Sequence, residues 1–142
     1  MTPGARWAGL GCLLGLAGAA APWTDNRISG YRWLVELADR HAGVVGLYAG
    51  ALAASVLAVV AMVLRASRVA VLAPAAVGLL TMITTVLVTP RGDTMFDGYD
   101  STGRPFGGSE PTSWSLGPAI ALLGVAVVLV VAVRYARTSR RG

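Results

Sequence analysis

Two uncharged apolar runs, residues 44–64 and 69–89, stand back to back with only Arg65-Ala66-Ser67-Arg68 between them. Each run is 21 residues long. At 1.5 Å rise per residue, about 20 apolar residues cross a hydrocarbon core of roughly 30 Å. A four-residue connector leaves room only for an antiparallel neighbour, so the pair predicts a transmembrane helical hairpin. Two further apolar runs flank it, residues 7–24 and 114–133. The pattern therefore predicts an all-α integral membrane four-helix bundle. It forms a single membrane domain over residues 1–142, with outer loops at 25–43 and 90–113.

The first run supports two readings. Arg6, an apolar stretch and small residues at 19–21 fit a cleavable signal peptide, but Pro22 crowds the best junction. A retained helix ending at the interfacial Trp23 fits the same residues and is the expectation adopted. The first outer loop carries Trp33, Leu34, Leu37 and Ala38 at helical spacing, with Arg32, Glu36 and Arg40 at i, i+4 opposite. That predicts a short interfacial amphipathic helix, capped by Ser29 and ended by Gly43, which serves either as a spacer or as a docking surface. Trp23, Trp33 and Trp114 are the expected interfacial anchors.

Within the runs, small residues recur at four-residue spacing: Gly46, Gly50, Ala54 and Ala58 in the second, Gly11 and Gly15 in the first. Such ridges let helix backbones approach closely where hydrophobicity supplies no drive, and the two ridges are expected to face each other or a partner. Pro74 removes a backbone donor from the third run and predicts a kink. Thr81, Thr84, Thr85 and Thr89 make a hydroxyl stripe that is expected to bond back to i−4 carbonyls more often than to line a polar path.

Composition narrows the class. Only 13% of residues are charged, against about 25% in an average soluble domain. All twelve basic residues are arginine, and seven lie in the short segments at 1–6, 65–68 and 134–142. All seven acids lie in the two longer loops. Arginine next to the spans marks the cytoplasmic side, so Arg65, Arg68, Arg134, Arg137, Arg140 and Arg141 are the topology determinants. Both termini are expected in the cytoplasm of a bacterial plasma membrane, with the arginines holding anionic lipids at that face. The excess is juxtamembrane, not a basic face on a folded surface, which argues against nucleic acid. Arginine without lysine, amid much Ala, Gly and Val, suggests a GC-rich genome.

Candidate chemistry is sparse. The spans contain no Asp, Glu, Lys, Arg or His, the costly groups that mark proton relays and intramembrane catalysis. The lone Cys12 excludes an intrachain disulfide, and the lone His41 cannot supply both axial ligands to a haem. Asp93, Asp97 and Asp100 do not match a calcium-loop spacing. No catalytic residue, cofactor or metal is expected. Trp23, Ser29-Gly30-Tyr31, the Arg65/Arg68 connector and the Gly-rich outer loop leading into Trp114 resemble the small four-span actinobacterial proteins called tryptophan-associated transmembrane proteins. That resemblance implies topology and carries no activity. The expected function is a non-enzymatic accessory or scaffold protein of a larger cell-envelope or respiratory membrane complex. The alternative is a self-associating, holin-like pore or transport component. The partner is accordingly a membrane protein or further copies of the chain.

Overall fold

The computed structural model describes residues 3–27, 30–38, 41–92, 94–99 and 101–138. Along the chain come α1 (Pro3–Ala20), β1 (Pro22–Asn26), β2 (Gly30–Trp33), α2 (Leu34–Ala38), α3 (Ala42–Val63) and α4 (Arg68–Val88). They are succeeded by β3 (Thr94–Tyr99), β4 (Pro105–Glu110), β5 (Ser113–Trp114) and α5 (Leu116–Thr138). Ser29, Arg40, Asp93, Asp100, Arg140 and Arg141, each given a role by the sequence, lie outside the described residues.

The connector between α3 and α4 is a helix stop joined to a helix start. Arg65 takes φ 54°, its N–H donates to the Met62 carbonyl at 3.2 Å, and the Ala66 N–H donates to the Ala61 carbonyl at 2.9 Å. These are the two bonds of a Schellman motif, with arginine where glycine is usual. Ser67 then caps α4, its Oγ accepting from the Ala70 N–H at 3.4 Å. Tyr135 of α5 donates its hydroxyl to the Ala66 carbonyl at 3.3 Å, tying the last helix to this turn.

The all-α four-helix membrane bundle with an interfacial helix is not what the chain forms. Among the described residues there are five helices and two antiparallel sheets, and three helices rather than four are long and apolar enough to cross a membrane: α3, α4 and α5. α1 is not one of them, because its 18 residues include Arg6 and five glycines. It ends at Ala20, not at Thr24, since Pro22 disfavours helix in the residue before it. The chain continues as a strand: β1 pairs with β2 and with β5, giving the order β2-β1-β5. The expected loop-one helix shrinks to the five residues of α2, and Trp33 belongs to β2. The Trp33 N–H donates to the Glu36 carboxylate at 3.1 Å, a capping contact at the start of α2. The second outer loop, expected to be irregular, is the β3–β4 hairpin, paired from Thr94↔Glu110 to Tyr99↔Pro105. Gly103, at φ 78°, supplies the left-handed residue its turn needs.

Both sheets are placed by the helix ends nearest them. α1 leads into β1, α4 leads into β3, and β5 leads into α5, so the strands gather at one end and the α3–α4 connector lies at the other. Two buried clusters fill the space between the helices. Trp23, Leu34, Val44, Tyr48, Ala51, Met82, Ala121 and Val125 lie toward the sheets. Ala8, Ala58, Met62, Val71, Ala75, Val128 and Ala132 lie toward the connector.

Trp23 is the keystone of the first cluster and not an interfacial anchor: it is 0% exposed. The β1–β2 register shifts between Pro22 and Thr24, so Trp23 and Thr24, neighbours that would normally face opposite ways, are both buried. Trp23 Nε1 donates to the Gly18 carbonyl at 2.9 Å, satisfying a carbonyl of α1's last turn. Its ring meets Tyr48 edge-on at 5.4 Å, and the Tyr48 hydroxyl donates to the Gly15 carbonyl. Among the described residues no buried side-chain polar atom lacks a hydrogen-bond partner.

Burial of this side chain makes a quantitative expectation. Trp23→Ala should destabilise the protein by about 3–5 kcal/mol, the usual range for an aromatic removed from a core. Trp23→Phe keeps a ring but orphans the Gly18 carbonyl, for about 1–3 kcal/mol. Thermal unfolding in detergent, monitored by circular dichroism, checks both. An interfacial anchor would give shifts near zero.

Candidate interaction surface

The small-residue ridges divide between an internal seam and an open face. Gly11 and Gly15 of α1 are buried, and what they meet is α5 rather than the α3 ridge expected from the sequence. A Cβ on Gly11 would sit 2.7 Å from the Gly124 carbonyl oxygen, and one on Gly124 would sit 2.5 Å from the Gly11 carbonyl oxygen. Gly18 continues the seam, where a Cβ would fall 2.8 Å from the Ala121 nitrogen. These are backbone-to-backbone contacts, which no rotamer change can relieve. On its flank Gly15 also meets Leu52 of α3.

The α3 ridge does not stay on one face. Ala54 and Ala58 are buried, whereas Gly46 and Gly50 are exposed and a Cβ on either would meet nothing within 4 Å. The cause is helix geometry. At 3.6 residues per turn, four-residue steps drift by about 40° each, so Gly46 and Ala58 differ by about 120° around the axis. α3 instead meets α4 through Ala51 and Ser55. A Cβ on Gly78 would lie 2.9 Å from Ser55 Oγ and 3.1 Å from the Ala51 carbonyl oxygen. The outward half of the ridge lines an open groove with His41, Gly43, Leu47, Thr81 and Val88.

Sequence reasoning missed Gly18, Gly78, Gly117 and Gly124. Gly78 is the only glycine between residues 69 and 89, and Gly124 is the only one in α5 beyond its first turn. Isolation, not repetition, was the available signal: a lone glycine in an aliphatic helix marks a close approach. Gly117 leaves room for the indole, as a Cβ there would lie 2.6 Å from Trp23 Cδ1.

Three of the four stripe hydroxyls are bonded locally, and Thr81 lies on the open groove. Thr84, Thr85 and Thr89 donate to the carbonyls of Leu80, Thr81 and Thr85 at 3.0, 2.8 and 2.7 Å. They offer no continuous polar path. Trp114 lies under Arg91, whose guanidinium carbon is 4.7 Å from the ring centroid. Trp33 is 40% exposed on β2.

Charge is sorted by end. The connector end holds Arg6, Arg65, Arg68, Arg134 and Arg137, and none of the described acids. Asp25, Glu36, Asp97 and Glu110 all lie at the sheet end, where Arg27 and Glu110 make an exposed pair at 3.7 Å. Asp97 stands on β3, and among the described residues no three His, Cys, Asp or Glu side chains are grouped to hold a metal.

Two substitutions separate seam from open face. Gly124→Ala should destabilise the protein by about 1–3 kcal/mol through overpacking, and should speed maleimide reaction at the half-buried Cys12. Gly50→Ala should leave both thermal stability and Cys12 reactivity near the parent values, within about 0.5 kcal/mol, because its Cβ enters open space.

No protein-family model, no curated protein and no solved structure matches this chain.

Proposed function

We propose that the chain is a multi-pass, non-enzymatic accessory or scaffold protein of a bacterial plasma membrane, held by α3, α4 and α5. In this reading the connector end faces the cytoplasm, and the sheet end is offered outside to a larger membrane complex. The observation that carries the reading is the set of apolar side chains left uncovered at the sheet end. Tyr31, Val35, Met95, Tyr99 and Phe106 are 61, 74, 86, 76 and 52% exposed. Lipid chains cannot cover them, because sheets with open edges do not sit in hydrocarbon. Met95 and Tyr99 share one face of the β3–β4 hairpin, and exposed apolar side chains grouped in this way mark a protein contact. Orientation is assigned from the arginines, whose placement next to spans outweighs that of acids.

The outward Gly46 and Gly50 belong to the same proposal, as the place where a partner helix can come close within the bilayer. The local back-bonding of the threonines weighs against a pore lined by α4.

Orientation is tested by cysteine labelling in a Cys12→Ser background. An impermeant maleimide should label Ser101→Cys in intact cells and leave Ser67→Cys untouched; the opposite pattern inverts the topology. Partner identity is tested with a photo-crosslinking residue at Met95 or Tyr99. Adducts to one other membrane protein support the scaffold, and adducts only to further copies support self-association instead. Gly50→Leu adds bulk where this chain has space, so it should leave folding intact and weaken assembly. An unchanged detergent gel-filtration profile would mean that this face meets only lipid.

A further inference from the structure

A second groove runs between α1 and α5 on the lipid-facing side, with a volume of about 920 Å³. Its walls include Trp7, Leu123, Val127, Val130 and Val131, and Arg134, Tyr135 and Thr138 border it at the connector end. Among the described residues Arg134 is the only charged one in its lining. From Leu123 to Arg134 is eleven residues of α5, about 16 Å of helix. Half of a hydrocarbon core is about 15 Å, so the apolar part of the wall, below Arg134, is about as long as one leaflet is deep.

We propose that this groove holds one acyl chain of an anionic phospholipid, with the lipid phosphate at Arg134. The walls offer apolar surface and no acid, which suits a hydrocarbon chain. The opening is basic, and Arg137 adds a second positive charge in the last turn of α5. Every described carboxylate lies at the far end of the helices, so none of them competes for Arg134. An ordinary boundary lipid would fill the slot without regard to its headgroup; the arginine at its mouth makes the site select for negative charge. The site rests on the protein's being membrane-embedded, but not on the presence of a protein partner or on which face is cytoplasmic.

The test uses the full chain purified in mild detergent, incubated with equimolar phosphatidylglycerol and phosphatidylcholine, and observed by native mass spectrometry. The parent protein should retain one phosphatidylglycerol, preferred about fivefold, the size expected for one arginine near an anionic surface. Arg134→Gln should bring the two lipids to parity, and Arg134→Lys should keep the preference. Val130→Trp, at a position 53% exposed in the groove, should lose the bound lipid of either kind while keeping the parent circular dichroism. Equal binding of both lipids by the parent protein would overturn the proposal. So would an undiminished preference in Arg134→Gln, or retention of lipid by Val130→Trp. A parent dimer that Val130→Trp converts to monomer would assign the groove to a second copy, and would equally overturn it. Failure here leaves the labelling result for orientation untouched, so the two proposals fail separately.

Discussion

Helices in a bilayer gain nothing from hiding apolar surface from lipid, so their association depends on how closely their backbones can approach. In this chain the closest approach is the seam where Gly11, Gly15 and Gly18 of α1 meet Gly124 and Ala121 of α5. α1 is the shortest and least apolar of the four long helices, and this seam is what holds it. Pro22 ends α1, and the seam fixes where that end, and with it β1 and Trp23, sits against α5. The indole occupies the space left by Gly117 on one side and receives the Tyr48 ring on the other. Remove the seam and the sheet end loses its support, because the β1 strand hangs from α1 and pairs with the strand that opens α5.

The two ends of the molecule are built for different surroundings. At the connector end the helix stop and start are capped locally, by the Arg65 and Ala66 bonds and by Ser67, and Tyr135 of α5 donates to the Ala66 carbonyl. Arginines are the only charges there among the described residues. The sheet end leaves strand edges, acids and aromatic side chains open. The three apolar helices are long enough to cross a membrane, and the open strand edges stand at one of their ends.

Much of this was legible in the sequence, and what was not has identifiable causes. The hairpin of α3 and α4 was legible because 21-residue uncharged runs admit few alternatives. The tight turn went with it. The strands were not legible: β1 holds a bulge that breaks its alternation, and β4 carries Gly107 and Gly108 where strand-forming residues would announce it. Trp23 was read as an anchor because tryptophan beside a span usually is one. Its burial depends on Tyr48 and Gly117, residues 25 and 94 positions away. The α3 ridge was read as one surface because its spacing is regular, whereas the helical drift sends Gly46 and Ala58 to different neighbours.

The α1–α5 seam also orders events in time. Gly11 is made before Gly124, with 112 residues between them. At 5–20 residues per second, synthesis of that interval takes on the order of ten seconds. Throughout it the glycine face of α1 has no counterpart, while α3 and α4 already have each other. The hairpin can therefore insert and close first, and α1, made before it, finds its place after it. During that wait α1 is the segment most open to capture by insertion factors or proteases, and it is α5, on arrival, that ends the exposure.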